Sequence, residues 1–318
     1  MLPSRLIFVD GLPGSGKSTT AQRLSLHLRR QGYPARWIFE HENQHPLFVE
    51  SAVRALREQQ PNAAPALFDR ALTGYAMLTD RMSAVPPETL LLEGTLFQTA
   101  VGSQLLLDHS QADIETFFDR TLKTVAALNP ALIHLAPADP VAALHRTAET
   151  RGSWFPDFVL QHLRATPLGQ RLAITDWSGA VALLTKHRAL CDALFERFPG
   201  PKIAVDPSIG DWNQINAAIT SFLQLPPLIE PPPAADLAQV AGAYRAEGTD
   251  DTWEFVVNAD GLALAGPPLT RLWARPEGGF EIEGLAIELD FELDATGRGV
   301  AVHCAPRINE LPLHWLRV

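Results

Sequence analysis

The sequence predicts a three-layer α/β/α domain built on a five-stranded parallel sheet, followed by a small antiparallel β domain. Three observations predict this fold class. Short apolar runs alternate with long helical patterns over the first two thirds of the 318 residues, prolines cluster near residue 225, and the remaining sequence alternates with period two. Strands that alternate with helices form right-handed crossovers and a parallel sheet covered on both faces. The predicted domains cover residues 1–224 and 236–318.

The predicted strands of the first domain are short and apolar, as buried parallel strands are. They are Leu6–Val9, Arg36–Phe39, Thr89–Leu92, Ala131–Leu135 and Lys202–Val205. The predicted helices are Thr19–Gln31, Pro46–Gln59, Pro65–Met82, Ala112–Ala127, Pro140–Thr150, Gly179–Phe198 and Trp212–Leu223. Ligands of such sheets bind beyond the carboxyl ends of the strands, so the residues that follow each strand are candidate site residues.

A proline-rich linker is predicted over residues 225–235. Five prolines between Leu225 and Ala234 exclude a regular helix and favour an extended spacer. Beyond it, alternating runs such as 280–283 and 286–293 are separated by Asp-Gly and Gly-Gly turns, which predict antiparallel hairpins. We expect a sandwich or barrel of about 80 residues.

Composition excludes several classes of function. The formal net charge is −10, which disfavours broad contact with nucleic acid or anionic membrane. The two cysteines, Cys191 and Cys304, lie far apart without metal-type spacing, which indicates a reducing, cytoplasmic location. No apolar run approaches the length of a membrane span. The oligomeric state is open, with a homodimer as one alternative.

A phosphate-binding loop stands between the first predicted strand and helix. Residues 11–18 read Gly-Leu-Pro-Gly-Ser-Gly-Lys-Ser, which matches G-x-x-x-x-G-K-[ST] in full. Glycines let main-chain N–H groups wrap a phosphate chain, at the positive end of the helix dipole. We expect ATP and Mg²⁺ as cofactors, since the guanine-specific Asn-Lys-x-Asp sequence is absent. The predicted contacts to the nucleotide come from Gly11, Pro13, Gly14, Ser15, Gly16, Lys17, Ser18 and Thr19, with Lys17 on the β- and γ-phosphates and the Ser18 hydroxyl on Mg²⁺.

Carboxylates follow the first three predicted strands. Asp10 either holds Mg²⁺ through water or caps loop amides, and both alternatives are open. Glu93 follows strand three, where folds of this kind hold Mg²⁺ or its water, so the predicted metal residues are Ser18, Glu93 and Asp10. Glu40 or Glu42, after strand two, is predicted to orient or deprotonate an accepting hydroxyl, and a solvated acidic loop is the alternative.

Residues 41–45 read His-Glu-Asn-Gln-His, which matches a zinc-hydrolase pattern. That pattern binds zinc only when both histidines lie one turn apart on a helix. Pro46 disfavours a helical conformation at His45 and favours a helix that begins after it. A zinc hydrolase is therefore the least favoured interpretation of this segment.

Two arginines follow the fourth predicted strand, on a helix introduced by Asp139-Pro140. Arg146 and Arg151 lie near the end of this helix, where a cationic flap can close over a transferring phosphoryl group. The alternative is an ordinary solvated basic helix end.

Together these motifs resemble the thymidylate kinase and deoxynucleoside kinase group of P-loop phosphotransferases over residues 1–224. The resemblance rests on the phosphate loop, on Glu93, and on residues 139–151 ahead of a lid-like turn. It implies a P-loop NTPase fold, a lid role for the two arginines of that segment, and a substrate-facing role for Arg81. Gly94 stands where the Asp-Arg-Tyr or Glu-Arg-Ser signature of the group has its arginine, so the chain resembles a separate branch.

The sequence thus predicts an ATP- and Mg²⁺-dependent kinase, similar to nucleoside and nucleotide kinases, that acts on a hydroxyl or phosphate of a small molecule. The residues predicted to carry catalysis are Lys17, Glu40, Glu42, Arg81, Glu93, Arg146 and Arg151. The alternative is a nucleotide-dependent regulatory ATPase whose C-terminal β domain binds a protein partner.

Overall fold

A five-stranded parallel sheet forms the centre of the first part of the chain. The computed structural model describes residues 3–43, 45–47, 63–228, 237–266, 269–308 and 311–318. The strands are β1 (Leu6–Gly11), β2 (Ala35–Ile38), β3 (Thr89–Glu93), β4 (Ala131–Leu135) and β5 (Lys202–Val205). They are ordered β2-β3-β1-β4-β5, and each neighbouring pair is parallel. The predicted parallel sheet is confirmed.

Helices cover both faces of this sheet. They are α1 (Lys17–Arg30), α2 (Ala63–Ala84), α3 (Gly102–Leu106), α4 (Gln111–Val125), α5 (Pro140–Arg151), α6 (Trp154–Arg164), α7 (Pro167–Arg171), α8 (Trp177–Arg197) and α9 (Trp212–Phe222). A π-helix spans Thr95–Val101, and α3, α6 and α7 have no counterpart among the predicted helices. The predicted helix Pro46–Gln59 falls largely on residues 48–62, which lie outside the described part of the chain.

The three layers follow from the alternation of side chains along buried strands. Leu6 and Phe8 of β1 belong to one apolar cluster, which includes side chains of α2, α4 and α8. Ile7 and Val9 belong to the opposite cluster, which includes side chains of α1 and α9. All four are fully buried. A strand that is apolar on both faces is stable only between two helical layers, so β1 occupies the middle of the sheet.

The second part of the chain closes into an eight-stranded antiparallel barrel. Its strands are β6 (Gly242–Ala246), β7 (Thr252–Asn258), β8 (Gly261–Leu264), β9 (Thr270–Ala274), β10 (Phe280–Ile282), β11 (Ile287–Leu293), β12 (Gly299–Pro306) and β13 (His314–Arg317). A short helix, α10 (Leu237–Val240), precedes them. Pairing of β13 with β6 and of β9 with β10 closes the ring, so the structure has the barrel rather than the sandwich.

Aromatic side chains fill the barrel interior. Trp253 and Trp315 stack with ring centroids 4.1 Å apart, and Tyr244 and Phe255 are buried beside them. The predicted linker falls largely on residues 229–236, which are not among the described residues, and the predicted domain boundaries stay predictions. Within the described ranges, no helix is both long enough and apolar enough to cross a lipid bilayer.

The barrel is bound to α1 by a buried polar contact. Gln22 is fully buried, and its amide nitrogen donates to Glu281 Oε2 at 3.1 Å and to Ile282 O at 2.9 Å. In return, the backbone N–H of Gly284 donates to Gln22 Oε1 at 2.8 Å. Arg29, two turns further along α1, contacts Glu281 Oε1 at 2.6 Å. The buried amide of Gln22 therefore satisfies a donor and acceptors of β10 and of the β10–β11 turn.

Replacing Gln22 with alanine removes these bonds and leaves buried polar groups unpaired. We expect Gln22→Ala to lower the free energy of unfolding by roughly 1–3 kcal/mol, the usual cost of an unsatisfied buried group. Urea denaturation measures the difference. The control is Gln31→Ala, whose side chain is exposed just beyond α1, and it should leave stability nearly unchanged. Equal stability of the two variants would contradict the role of Gln22.

Candidate functional site

The crevice at the carboxyl end of β1 is the topological switch point of the sheet. From β1 the chain builds β2 and β3 on one side, and then β4 and β5 on the other. The loop after β1 and the segments after β3 and β4 therefore diverge here, which leaves space for a ligand. A cavity of about 540 Å³ occupies this position. The phosphate loop, α5, the loop after β5, and Gly284 of the barrel form its walls.

The phosphate loop has the backbone that its glycines predict. Gly14 and Gly16 have φ angles of 77° and 87°, in the left-handed region that side chains disfavour. A Cβ atom on Gly16 would also collide with the ring of Trp212, and one on Gly14 would collide with Thr147. The loop therefore requires glycine twice over, for its conformation and for the close approach of its neighbours.

Lys17 begins α1, and its side chain turns back into the loop. The residue is 7% exposed, and Nζ donates to Leu12 O at 3.0 Å. Gly94, with φ of 60°, lies across from it, and a side chain at this position would press against Glu40 and the Lys17 side chain. This close approach and the positive φ angle explain why position 94 is a glycine.

Glu93 is a deeply buried carboxylate that contacts the phosphate loop. Ser18 Oγ donates to Glu93 Oε1 at 2.8 Å, and Trp37 Nε1 donates to Glu93 Oε2 at 2.8 Å. The pKa of Glu93 is raised to about 7: burial and the charge of Glu40 raise it, and together they outweigh the lowering effects of Ser18, Lys17 and Trp37. The raised pKa means that the contacts of Glu93 do not fully offset the cost of burying its negative charge. A divalent cation beside Ser18 would supply the missing positive charge. The oxygens of Ser18 and Glu93 are hard ligands that suit Mg²⁺.

Asp10 occupies the end of β1 with both oxygens engaged. Oδ2 accepts hydrogen bonds from the backbone N–H groups of Leu96 and Phe97, and Oδ1 accepts one from Gln98, each at 3.0 Å. The side chain is fully buried, which raises its pKa, whereas these three bonds and Lys17 lower it. These contacts fit the amide-capping alternative, since Asp10 caps the first turn of the π-helix. Its role as a metal residue stays a prediction.

Glu40 and Glu42 have different surroundings. Glu42 is buried and forms ion pairs with Arg36 and with Arg307 of the barrel, the latter at 2.9 Å. Glu40 is only partly buried and accepts a hydrogen bond from the Gln98 side chain. Its charge raises the pKa of Glu93, and both its Oε2 atom and Lys17 Cε lie within 3.5 Å of the position that a Cβ atom on Gly94 would take. Of the two candidates, Glu40 is the one whose carboxylate faces the phosphate loop.

The His-Glu-x-x-His segment is not helical. Residues 40–43 form turns, and Gln44 lies outside the described residues. His45 is buried, its Nδ1 accepts a hydrogen bond from Leu47 N at 3.1 Å, and burial lowers its pKa to about 4. Because Glu42 is committed to two arginines and the histidines do not share a helix face, the geometry that a zinc hydrolase requires is absent from the described part of this segment.

The two predicted lid arginines lie on the cavity wall formed by α5. Arg146 and Arg151 both line the cavity opposite the phosphate loop, and the Arg151 guanidinium lies 4.9 Å from the ring centroid of Phe155. Burial lowers the pKa of Arg151, and the charge of Glu40 opposes that effect. Phe155 is buried, whereas the neighbouring Trp154 is exposed.

Arg81 lies away from this site. It is exposed near the end of α2, and the adjacent Met82 O accepts a hydrogen bond from Arg5, which directly precedes β1, at 2.5 Å. This is the amino edge of the sheet, and the phosphate loop leaves the carboxyl edge. The structure therefore does not bring Arg81 to the acceptor side, because α2 ends where β3 begins.

Several site residues carry no sequence motif. Trp37 binds Glu93, Gln98 binds Glu40, Trp212 covers Gly16, and Gly284 reaches the cavity from the barrel. One indication in the sequence that two of these residues belong to the site was their position: Trp37 lies in strand two, and Gln98 follows strand three. Their partners depend on how those strands lie beside β1.

Comparisons with known proteins give matches among solved structures. No protein-family model matches the chain, and a search of the curated proteins finds no match. The chain is similar to the structure of deoxyadenosine kinase from M. mycoides with bound dATP, at 16% identity and a TM-score of 0.39, over 68% of this chain and 98% of that one. It is also similar to the YorR protein from Bacillus subtilis in complex with phosphorylated GDP, at 13% identity and a TM-score of 0.36, over 69% of this chain and 94% of that one. The function proposed below rests on the geometry of the site.

The raised pKa of Glu93 predicts a pH-dependent stability. The folded state holds the proton up to a pH of about 7, whereas a glutamate in the unfolded chain loses it near its ordinary pKa of 4.5. Where the folded state binds more protons, stability falls as the pH rises. We therefore expect the unfolding free energy of the wild type, relative to Glu93→Gln, to fall by about 3 kcal/mol between pH 4.5 and pH 8.

Urea denaturation in the presence of a chelator measures this difference at each pH. A constant difference between wild type and Glu93→Gln would mean that Glu93 titrates in its ordinary range. Added Mg²⁺ should stabilise the wild type more than the variant at pH 8, since the carboxylate is a predicted metal ligand.

Proposed function

We propose that this chain is an ATP- and Mg²⁺-dependent phosphotransferase, similar in type to nucleoside and nucleotide kinases, that acts on a small-molecule acceptor. The observation that supports the proposal is a second carboxylate, Glu40, whose Oε2 atom lies beside Gly94 close to Lys17 and whose charge raises the pKa of Glu93. A phosphate loop alone holds a donor. A carboxylate that faces the loop supplies what a kinase also needs, a group that orients the accepting hydroxyl and takes its proton.

The donor side uses backbone and positive charge. The N–H groups of the loop and the Lys17 ammonium hold the phosphates, and the α1 dipole adds to their field. Ser18 and Glu93 are the proposed ligands of Mg²⁺ or its water, and bound Mg²⁺ would neutralise charge on the phosphates. The nucleoside part of ATP is proposed to lie along the wall formed by Pro207, Ser208 and Trp212, on the same cavity.

The acceptor side uses Glu40, which the Gln98 side chain holds in place. The accepting hydroxyl is proposed to lie between Glu40 and the γ-phosphate, so that its proton passes to the carboxylate as its oxygen attacks the γ-phosphorus. The bond from that phosphorus to the β,γ-bridging oxygen breaks, and ADP leaves. Arg146 and Arg151 on the opposite wall stabilise the charge that develops on the transferring group. The same two arginines suit a phosphate group on the acceptor, so the proposed acceptors include nucleotides as well as nucleosides.

The barrel supports the segment that carries Glu40. Arg307 Nη1 donates to Trp37 O at 2.6 Å and to Glu42 Oε2 at 2.9 Å, and Arg307 O accepts from Asn43 N at 2.6 Å. The barrel thus contacts residues on both sides of Glu40, while its β10–β11 turn holds α1 through Gln22. We propose that it fixes the donor and acceptor sides relative to each other. Cys191 and Cys304 are free and buried, which supports a cytoplasmic location.

Two neighbouring carboxylates provide a matched test. Glu40→Gln keeps the shape of the side chain but removes the base, and we expect phosphate transfer to fall by roughly 10²–10⁴-fold with ATP affinity little changed. Glu42→Gln should instead lower stability, because it removes half of a buried charge pair. The measurements are transfer of labelled γ-phosphate to a panel of nucleosides, nucleotides, aminoglycosides and sugars, and urea denaturation of both variants.

Several outcomes would contradict the proposal. Lys17→Ala should abolish transfer, and unchanged transfer in that variant would remove the phosphate loop from the reaction. If label reaches water alone with every acceptor, the chain is an ATPase. If Glu40→Gln transfers phosphate at the wild-type rate, Glu40 is not the acceptor-side base.

The support by the barrel predicts a selective kinetic effect. Arg307→Ala frees the Glu40 segment, so we expect KM for the acceptor to rise about tenfold while KM for ATP changes little. The control is Arg317→Ala, since Arg317 binds backbone carbonyls within the barrel alone, at Gln239, Ala241 and Gly299. Equal KM changes for both substrates would show a general loss of structure instead.

The regulatory ATPase is a second candidate, favoured by exposed apolar side chains near the C-terminus. Leu313, Leu316 and Val318 are 63%, 45% and 63% exposed on or beside β13. A nucleotide-dependent complex that the wild type forms and Lys17→Ala does not form, together with phosphate release to water alone, would support this function over the kinase.

A further inference from the structure

Two histidines and a glutamate meet on the outer surface of the barrel, on three adjacent strands. His303 of β12 lies directly opposite His314 of β13. Asp290 of β11 is the register partner of His303, so Glu292 lies two residues further along on the same face. The imidazole rings of His303 and His314 stack with centroids 4.6 Å apart. The barrel strands thus hold three potential metal ligands side by side.

The ligand atoms are close enough to share one ion. One nitrogen from each histidine and one oxygen of Glu292 all lie within 4.8 Å of one another. Zinc binds imidazole nitrogen and carboxylate oxygen at about 2.0–2.2 Å, which places two tetrahedral ligands roughly 3.3 Å apart. Glu292 Oε1 already contacts His303 Nε2 directly, and both side chains are exposed, so rotations about their side-chain bonds can move the three ligand atoms to the spacing of a bound ion.

His314 is oriented by a carboxylate of its own. Its Nδ1 lies 3.1 Å from Glu247 Oε2, in the turn after β6. Its Nε2 is shielded from solvent and has no hydrogen-bond partner among the described residues. Histidines that bind metals are commonly held by a carboxylate on one nitrogen while the other nitrogen binds the ion. The contact with Glu247 therefore leaves the Nε2 atom of His314 as the donor to a metal.

We propose that Glu292, His303 and His314 bind one divalent transition-metal ion of the zinc class, with Glu247 orienting His314. Two imidazoles and one carboxylate suit Zn²⁺, Ni²⁺ or Cu²⁺ far better than Mg²⁺ or Ca²⁺. Three protein ligands leave the fourth position to water or to an external ligand. The ion would link β11, β12 and β13, the last of which closes the barrel against β6.

The test is calorimetric titration of ZnCl₂ into the untagged, chelator-treated full-length chain. We expect one ion bound per chain at this site, at least tenfold weaker binding in His303→Ala and in His314→Ala, and a rise in melting temperature with Zn²⁺ that both variants lose. Glu247→Gln should weaken binding by about tenfold, as expected for a partner that orients a ligand. His109→Ala, which removes a histidine from the α/β part, is the control and should bind like the wild type.

Two results would overturn the proposal. Unchanged Zn²⁺ affinity in His303→Ala and His314→Ala would place the bound ion elsewhere, and no heat of binding at 100-fold molar excess would leave the cluster an ordinary surface pair. Co²⁺ gives an independent readout, because its visible absorption band becomes much stronger when the hydrated ion enters a four- or five-coordinate protein site. That band should appear with the wild type and with His109→Ala, and its persistence in His314→Ala would also contradict the site.

Discussion

The site depends on the burial of one carboxylate. Glu93 is 1% exposed at the end of β3, and its two oxygens accept hydrogen bonds from Ser18 and Trp37. These bonds connect the start of α1, the end of β3 and the middle of β2 in one network. A buried charge is stable only when it is paired and hydrogen-bonded, so these elements hold one another in position. When Glu93 is ionised, the space beside Ser18 has a negative electrostatic potential.

Constraints on neighbouring positions follow from this network. Gly94 is small because Lys17 and Glu40 approach it closely, and Asp10 satisfies the amide groups where the π-helix begins. Glu40 remains beside the crevice because Gln98, on that same π-helix, binds it. Local geometry after β3 therefore determines where the second carboxylate lies. Two further sets of hydrogen bonds join the barrel to the α/β part beside the site. Gln22 of α1 binds β10, and Arg307 of the barrel binds Trp37 and Glu42.

Much of the fold was predictable because local sequence patterns determine it: apolar runs, helical periodicity and the glycine-rich loop. The five strands were predicted within one or two residues at each end, since apolar runs of this length between helices have few other solutions. The phosphate loop was predictable because its glycines have a conformational reason that needs no distant partner. The helices α3, α6 and α7 were not predicted. The helix α7 has only five residues, too few for a periodic pattern, and begins at a cap in which Thr166 Oγ1 accepts a hydrogen bond from Gly169 N.

By itself, the sequence determined which residues could carry chemistry: the phosphate loop and the carboxylates that follow the strands. Tertiary structure alone decided which of them share a crevice. In the folded chain, Glu42 forms an ion pair with Arg307, and Asp10 accepts hydrogen bonds from backbone amides. Glu40 faces the phosphate loop, whereas Arg81 lies at the amino edge of the sheet. The reason is physical, because the free energy of a charged side chain depends on partners that are distant in sequence and meet only when the strands are ordered.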